Sequence, residues 1–183
     1  MSDWCRDTPP EASSAVFILA DSVIIDAPIE KVWSILLDFG SYKEWNPFVR
    51  NQTVVDAKMG TPLVDQTPSV GCHILMDPVH LPPTMRPSSE LWFWQKNSTR
   101  IWISHLDKDN YRVAWRTSGP AFLLEAERWQ MLTKTADGKV KYETFECFRG
   151  PLAYIVKFFV GHNLNKGVRA MAEGLKQRAE AFQ

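Results

Sequence analysis

Apolar and polar positions follow two different rhythms along this chain, and the change of rhythm sets out the fold. From Val16 the pattern is extended: Val16-Phe17-Ile18-Leu19 and Val23-Ile24-Ile25 are apolar, and most of these residues are β-branched or aromatic. Pro28 then opens a helix, since proline is tolerated in a first turn, and Glu30 places a carboxylate near its positive end. Val32, Trp33, Leu36 and Leu37 recur at helical spacing, and the helix ends by Gly40. A short second helix over 41–45 stops before Asn46-Pro47, because proline disfavours a helical residue ahead of it.

A long β-rich stretch follows. Strands are expected over 48–57, 70–76, 90–95, 100–106, 111–117, 123–133 and 140–148, with a turn at 58–62. Residues 77–87, with Pro78, Pro82, Pro83 and Pro87, read as a loop or the edge of a lid. After Gly150-Pro151 the rhythm returns to steps of three and four. Leu152, Ile155, Val156, Phe159, Leu164, Val168, Met171 and Leu175 predict one long helix, loosened midway by Gly161. Helices segregated from a run of strands make an α+β class. A curved sheet around one helix leaves a space between them that side chains need not fill. Residues 1–14, with Pro9, Pro10, Ser13 and Ser14, read as a flexible tail, and 15–183 as a single domain.

Charge removes several classes of partner. Lys plus Arg and Asp plus Glu each number 21, for a net charge of zero, and no basic run stands out. Nucleic acid and anionic membranes favour such a run, so neither is expected as a partner. The longest apolar stretch, 15–20, is far too short to insert across a bilayer. Neither a signal segment nor paired cysteines are apparent, since Cys5, Cys72 and Cys147 are odd in number and scattered. A cytoplasmic monomer or homodimer is expected. Eight tryptophans form either a large aromatic core or part of a cavity wall.

Asp137-Gly138 is the signature of a two-residue type I′ hairpin. That loop sets Trp129 opposite Glu146, Glu127 opposite Phe148, and Met131 opposite Thr144. One face then carries Glu127, Trp129, Met131, Thr144, Glu146 and Phe148; the other carries Arg128, Gln130, Leu132, Phe145 and Cys147. The first, richer in large apolar groups, is taken as the inner one. On it Glu127 and Glu146 are diagonal neighbours about 7 Å apart. Buried together, one would stay protonated, which makes an acid/base pair. The plainer alternative pairs each with Arg112, Arg116, Arg149 or Arg169. His80 stands in the proline-rich loop, where it either reaches into the cavity mouth or faces solvent. Cys72 and His73 point to opposite faces of a strand, and no phosphate loop or cofactor fingerprint is present, so metal-free and cofactor-free chemistry is expected.

The run Ala27-Pro28-Ile29-Glu30-Lys31-Val32-Trp33, followed by Tyr42-Lys43-Glu44-Trp45-Asn46-Pro47-Phe48, resembles the polyketide cyclase/dehydrase branch of the START-like (SRPBCC) superfamily. Glu127-Arg128-Trp129 and Glu146-Cys147-Phe148-Arg149-Gly150-Pro151-Leu152 extend the resemblance to the C-terminal half. It implies a helix-grip fold, a seven-stranded antiparallel sheet around the long C-terminal helix with a hydrophobic cavity between. Catalytic residues are not shared across that superfamily, so none transfers by motif. The resulting expectation is a cofactor-independent cyclase, dehydratase or pericyclase, a lyase or isomerase of specialised polyketide- or terpenoid-like metabolism. Glu146 and Glu127 are its candidate catalytic groups. Trp129, Trp115, Tyr154, Phe148, Met131, Phe158, Trp45, His80 and Met171 are candidates for holding a hydrophobic substrate. The alternative is a non-catalytic carrier of a lipid-like molecule.

Overall fold

The structure is a computed structural model that describes residues 7–181. Seven strands form one antiparallel sheet: β1 (Phe17–Ile25), β2 (Gln52–Val55), β3 (His73–His80), β4 (Lys96–Asp107), β5 (Arg112–Thr117), β6 (Glu125–Lys134) and β7 (Val140–Arg149). Their order across the sheet is β1-β7-β6-β5-β4-β3-β2, so successive strands from β2 to β7 are neighbours and β1 closes beside β7. The helices are α1 (Ile29–Leu37), α2 (Tyr42–Trp45), α3 (Leu152–Phe159) and α4 (Gly161–Glu180). This is the helix-grip α+β fold expected from the sequence.

The apolar stripe of α1 behaves as its spacing requires, with Ile29, Val32, Trp33 and Leu36 all buried. On α4 the buried face is Gly167, Val168, Met171, Ala172, Gly174, Leu175 and Ala179. Its C-terminal turn is tied to the β1 end, where Lys176 Nζ donates to Ile24 O (2.8 Å) and Glu180 Oε1 accepts from Asp26 N (2.8 Å).

Two small residues let α4 come this close. A Cβ on Gly174 would lie 2.5 Å from the Trp45 carbonyl oxygen, and one on Gly167 2.5 Å from the Phe48 ring. Gly174→Ala is therefore expected to destabilise by about 1–3 kcal/mol, although alanine is the better helix former by about 1 kcal/mol. Urea denaturation checks this, and a stabilised variant would contradict the close approach.

Several boundaries differ from the expectation. Residues 77–80 belong to β3 rather than to a loop: Val79 and His80 pair with Asn97 and Lys96, past a register shift between Met76 and Val79. Pro78 has no N–H to give the ladder and sits in that irregular stretch. The segment 90–95 is not a strand. It turns twice, through 3-10 segments Ser88–Glu90 and Phe93–Gln95, with Gln95 Oε1 accepting from Trp92 N (3.0 Å). Its Trp92, Phe93 and Trp94 are exposed, Trp92 stacked on Trp94 at 5.1 Å. The expected single C-terminal helix is two, since Val160 leaves helical geometry (φ −124°) just before Gly161.

The hairpin register differs by one residue. Thr135 N donates to Lys139 O (2.9 Å), Gly138 N donates to Thr135 O (3.0 Å), and Gly138 has φ +82°. The loop is thus three residues ending on a left-handed glycine, not a two-residue type I′ turn. Trp129 faces Phe145, Glu127 faces Cys147, and Arg128 faces Glu146. A one-residue slip moves every side chain on one strand to the opposite face.

Candidate functional site

Between the concave face of the sheet and the two C-terminal helices lies a cavity of about 240 Å³. Its walls come from four regions. Met76 and Val79 of β3 and Asn97, Thr99 and Ile101 of β4 form one side, with Phe48, Val49 and Leu81 beside them. Trp115 and Thr117 of β5, Ala126 and Arg128 of β6, and Glu146 and Phe148 of β7 form the floor. Leu124, Val156, Val160 and Leu164 close the helical side. Alternation along each strand explains the set, since every second residue of β5, β6 and β7 points inward.

Two ionisable groups break the apolar lining, Glu146 and Arg128, and they sit directly opposite one another across β6 and β7. Burial pushes the Glu146 carboxyl above the ordinary glutamate value, and the nearby Arg128 guanidinium only partly offsets this. Among the described residues, the Glu146 carboxyl has no hydrogen bond and no cation within 4 Å. Arg128 is 4% exposed; its Nε donates to Thr144 Oγ1 (3.0 Å) and its Nη2 to Met171 Sδ (3.6 Å). Behind it Tyr142 donates to Gln130 Oε1, and Tyr42 donates to Leu36 O (2.6 Å). Burial raises the pKa of both tyrosines, so each stays a neutral donor.

Glu127 is elsewhere. It lies on the outer face, wholly buried, where Oε2 meets Arg116 Nη2 (3.0 Å) and Arg149 Nη1 (3.6 Å), and Oε1 accepts from Trp129 Nε1 (2.9 Å). Glu125 joins the same two arginines at 3.5 and 3.6 Å. This is the ion-pair arrangement that stood as the alternative to a carboxylate pair. The two acids therefore do not share a face, because of the register.

The other candidates divide in the same way. Trp115 and Phe148 line the cavity. Trp129 is buried on the outer face beside Glu127, and Met131 borders an outer groove with Pro9 and Pro10. Met171 and Trp45 are core residues, Trp45 packed on Tyr42 at 4.6 Å. Tyr154 and Phe158, on the outward side of α3, are 66% and 83% exposed. His80 neither enters the cavity nor faces solvent. Fully buried, it donates from Nδ1 to Thr84 O (3.0 Å) and accepts at Nε2 from Ser88 Oγ (2.9 Å), pinning the 81–88 loop. Burial lowers its pKa, which keeps the ring neutral in that role.

Arg128, Met76, Ile101, Val156 and Leu164 line the cavity and were not singled out from the sequence. Only the correct hairpin register would have found Arg128. Among the described residues, no three His, Cys, Asp or Glu side chains come together to hold a metal ion, and no helix is long and apolar enough to cross a membrane.

Residues 17–180 match the family described as polyketide cyclase / dehydrase and lipid transport. The chain belongs to that family. The resemblance carried by the Trp45-Asn46-Pro47-Phe48 run is thereby borne out. A relative in Penicillium oxalicum, "Oxopyrrolidines biosynthesis cluster protein O", is 25% identical over 92% of this chain and 89% of its own length. Solved structures with the same fold include a hypothetical protein of Helicobacter pylori (TM-score 0.67, 16% identity, 98% of this chain and 99% of that one). Another is the di-domain ARO/CYC BexL from the BE-7585A biosynthetic pathway (TM-score 0.60, 16% identity, 91% of this chain and 51% of that one). At these identities the structural neighbours speak for fold. Within this family, then, the chain's own cavity residues must carry any argument about chemistry.

Proposed function

We propose that the protein is a cofactor-independent cyclase-type enzyme of specialised metabolism, acting on a small hydrophobic molecule enclosed against Trp115, Phe148 and Ile101. The observation that carries this reading is Glu146, an acid with a raised pKa exposed to an otherwise largely apolar cavity. A carboxyl whose neutral form is favoured by burial is suited to giving a proton to a carbonyl or a departing hydroxyl, and to taking one back afterwards. The walls would hold a flexible chain folded with its reacting atoms close, which is catalysis by orientation. The family match and the relative named for a biosynthesis cluster support the metabolic setting.

A carrier would need the cavity but not the acid. The family description also names lipid transport, so the two readings are separated by experiment. The protein is purified, its retained ligand identified by native mass spectrometry, and that compound and its open-chain precursors are incubated with fresh protein. Enzymatic action predicts a product isomeric with an added precursor, or lighter by one water. Ligands recovered unchanged in every incubation would overturn the enzyme reading and leave a carrier.

A further inference from the structure

We infer that the ligand of this cavity ends in a two-oxygen anion, a carboxylate or an enolised 1,3-dicarbonyl, and that the Arg128 guanidinium is its anchor. The inference rests on the cavity being the ligand site proposed above, and it adds the class of molecule that site takes.

Buried cations on the two faces of the sheet are paired differently. Arg116, 4% exposed on the outer face, has two carboxylates within 3.5 Å, Glu125 and Glu127. Arg128 is equally buried on the inner face, yet among the described residues no carboxylate lies within 4 Å of it. Its partners are the Thr144 hydroxyl, the Tyr142 phenol and the Met171 thioether, all neutral, and the thioether is a weak acceptor. A guanidinium cannot shed its proton to escape the cost of burial, so a counter-charge must come from elsewhere. The facing acid does not supply it in full, because burial favours the neutral form of Glu146.

Arg128 also borders the cavity, so the missing partner has room there. A guanidinium presents parallel N–H donors in a planar fork, which matches two oxygens on one carbon or on a 1,3-dicarbonyl. Most of the remaining wall, Trp115, Ile101, Phe148 and Val156 among it, calls for a largely apolar body behind that head, with Asn97, Thr99 and Thr117 the polar exceptions. At about 240 Å³ the space is too small for a nucleotide and suits a compact acid.

The test uses the full chain and two probes of equal length, octanoate and 1-octanol, titrated calorimetrically at about pH 6, where a simple carboxylate is ionised. Octanoate is expected to bind at least about tenfold more tightly than the alcohol. Arg128→Gln should erase that preference, bringing octanoate down to about the affinity of the alcohol. Arg128→Lys, which keeps the charge but not the fork, should weaken octanoate several-fold and serves if the glutamine variant does not fold. Equal affinity for acid and alcohol in the unmodified protein overturns the anchor and leaves the cavity reading standing. So does octanoate binding that neither variant alters. Failure to bind either probe overturns both.

Discussion

Glu146→Gln is expected to slow turnover about 10²- to 10⁴-fold, about 3–5 kcal/mol of barrier, while making the folded protein more stable at neutral pH. The two effects have opposite signs because they have one cause. Burial raises the Glu146 pKa above its ordinary value of 4.5, so ionising this group costs more in the folded state than in the unfolded one. The stability associated with the neutral form is fully present below pH 4.5 and is lost as pH rises through the folded-state pKa. Glutamine has the shape of the neutral acid and no charge to lose. Its advantage should therefore be absent at pH 4 and develop towards pH 8. Urea denaturation of both proteins at the two pH values reads the stability, and single-turnover kinetics on the identified substrate reads the rate. A variant that turns over normally would remove Glu146 from the chemistry.

Glu127→Ala should behave in the reverse manner, costing about 3–5 kcal/mol of stability with no direct effect on turnover per folded molecule. The side chain is fully buried and balances Arg116 and Arg149 while accepting the Trp129 indole N–H. Alanine leaves Arg116 short of a counter-charge and the indole unpaired, both out of reach of water. Glu127→Gln keeps the shape and an acceptor for Trp129, so its loss should be smaller. Because the network is buried, added salt should screen it little. Thermal and urea unfolding report the stability. A glutamine variant that folds as well as the parent but no longer turns over would return Glu127 to the list of reacting groups.

The contrast between these two acids marks where the sequence stopped being legible. The α1 stripe, the short α2 ahead of Pro47 and the crossing to a C-terminal helix all follow from periodicity and proline placement, whereas the strand pattern counted one strand too many, at 90–95. The face of the β6–β7 hairpin did not. Asp137-Gly138 is written the same way in a two-residue loop and in a three-residue loop with glycine in the left-handed position, and the difference is one residue of register. Hydrophobicity could not arbitrate, because both faces of this hairpin are covered. The outer one buries Trp129 and Cys147, with Pro10 buried nearby, and Ser14 accepts bonds from Arg149. A sheet with one wet face would have betrayed its inward side through polar residues on the other. The run Trp92-Phe93-Trp94 misled in another way: aromatic content suits a strand, but here the run turns through Phe93–Gln95 directly ahead of β4.

The break at Val160 separates two jobs that a continuous helix would have had to share. Helix α4 holds the fold together through Val168, Met171 and Leu175, whereas α3 buries only Ala153 fully and contributes Val156 to the cavity. Residues 152–160 are therefore free to change in sequence at small cost to folding, and each change at Val156 or Val160 redraws the space offered to the ligand. If the cavity is the ligand site proposed above, divergence in what related chains accept should touch this short helix while α4 stays fixed.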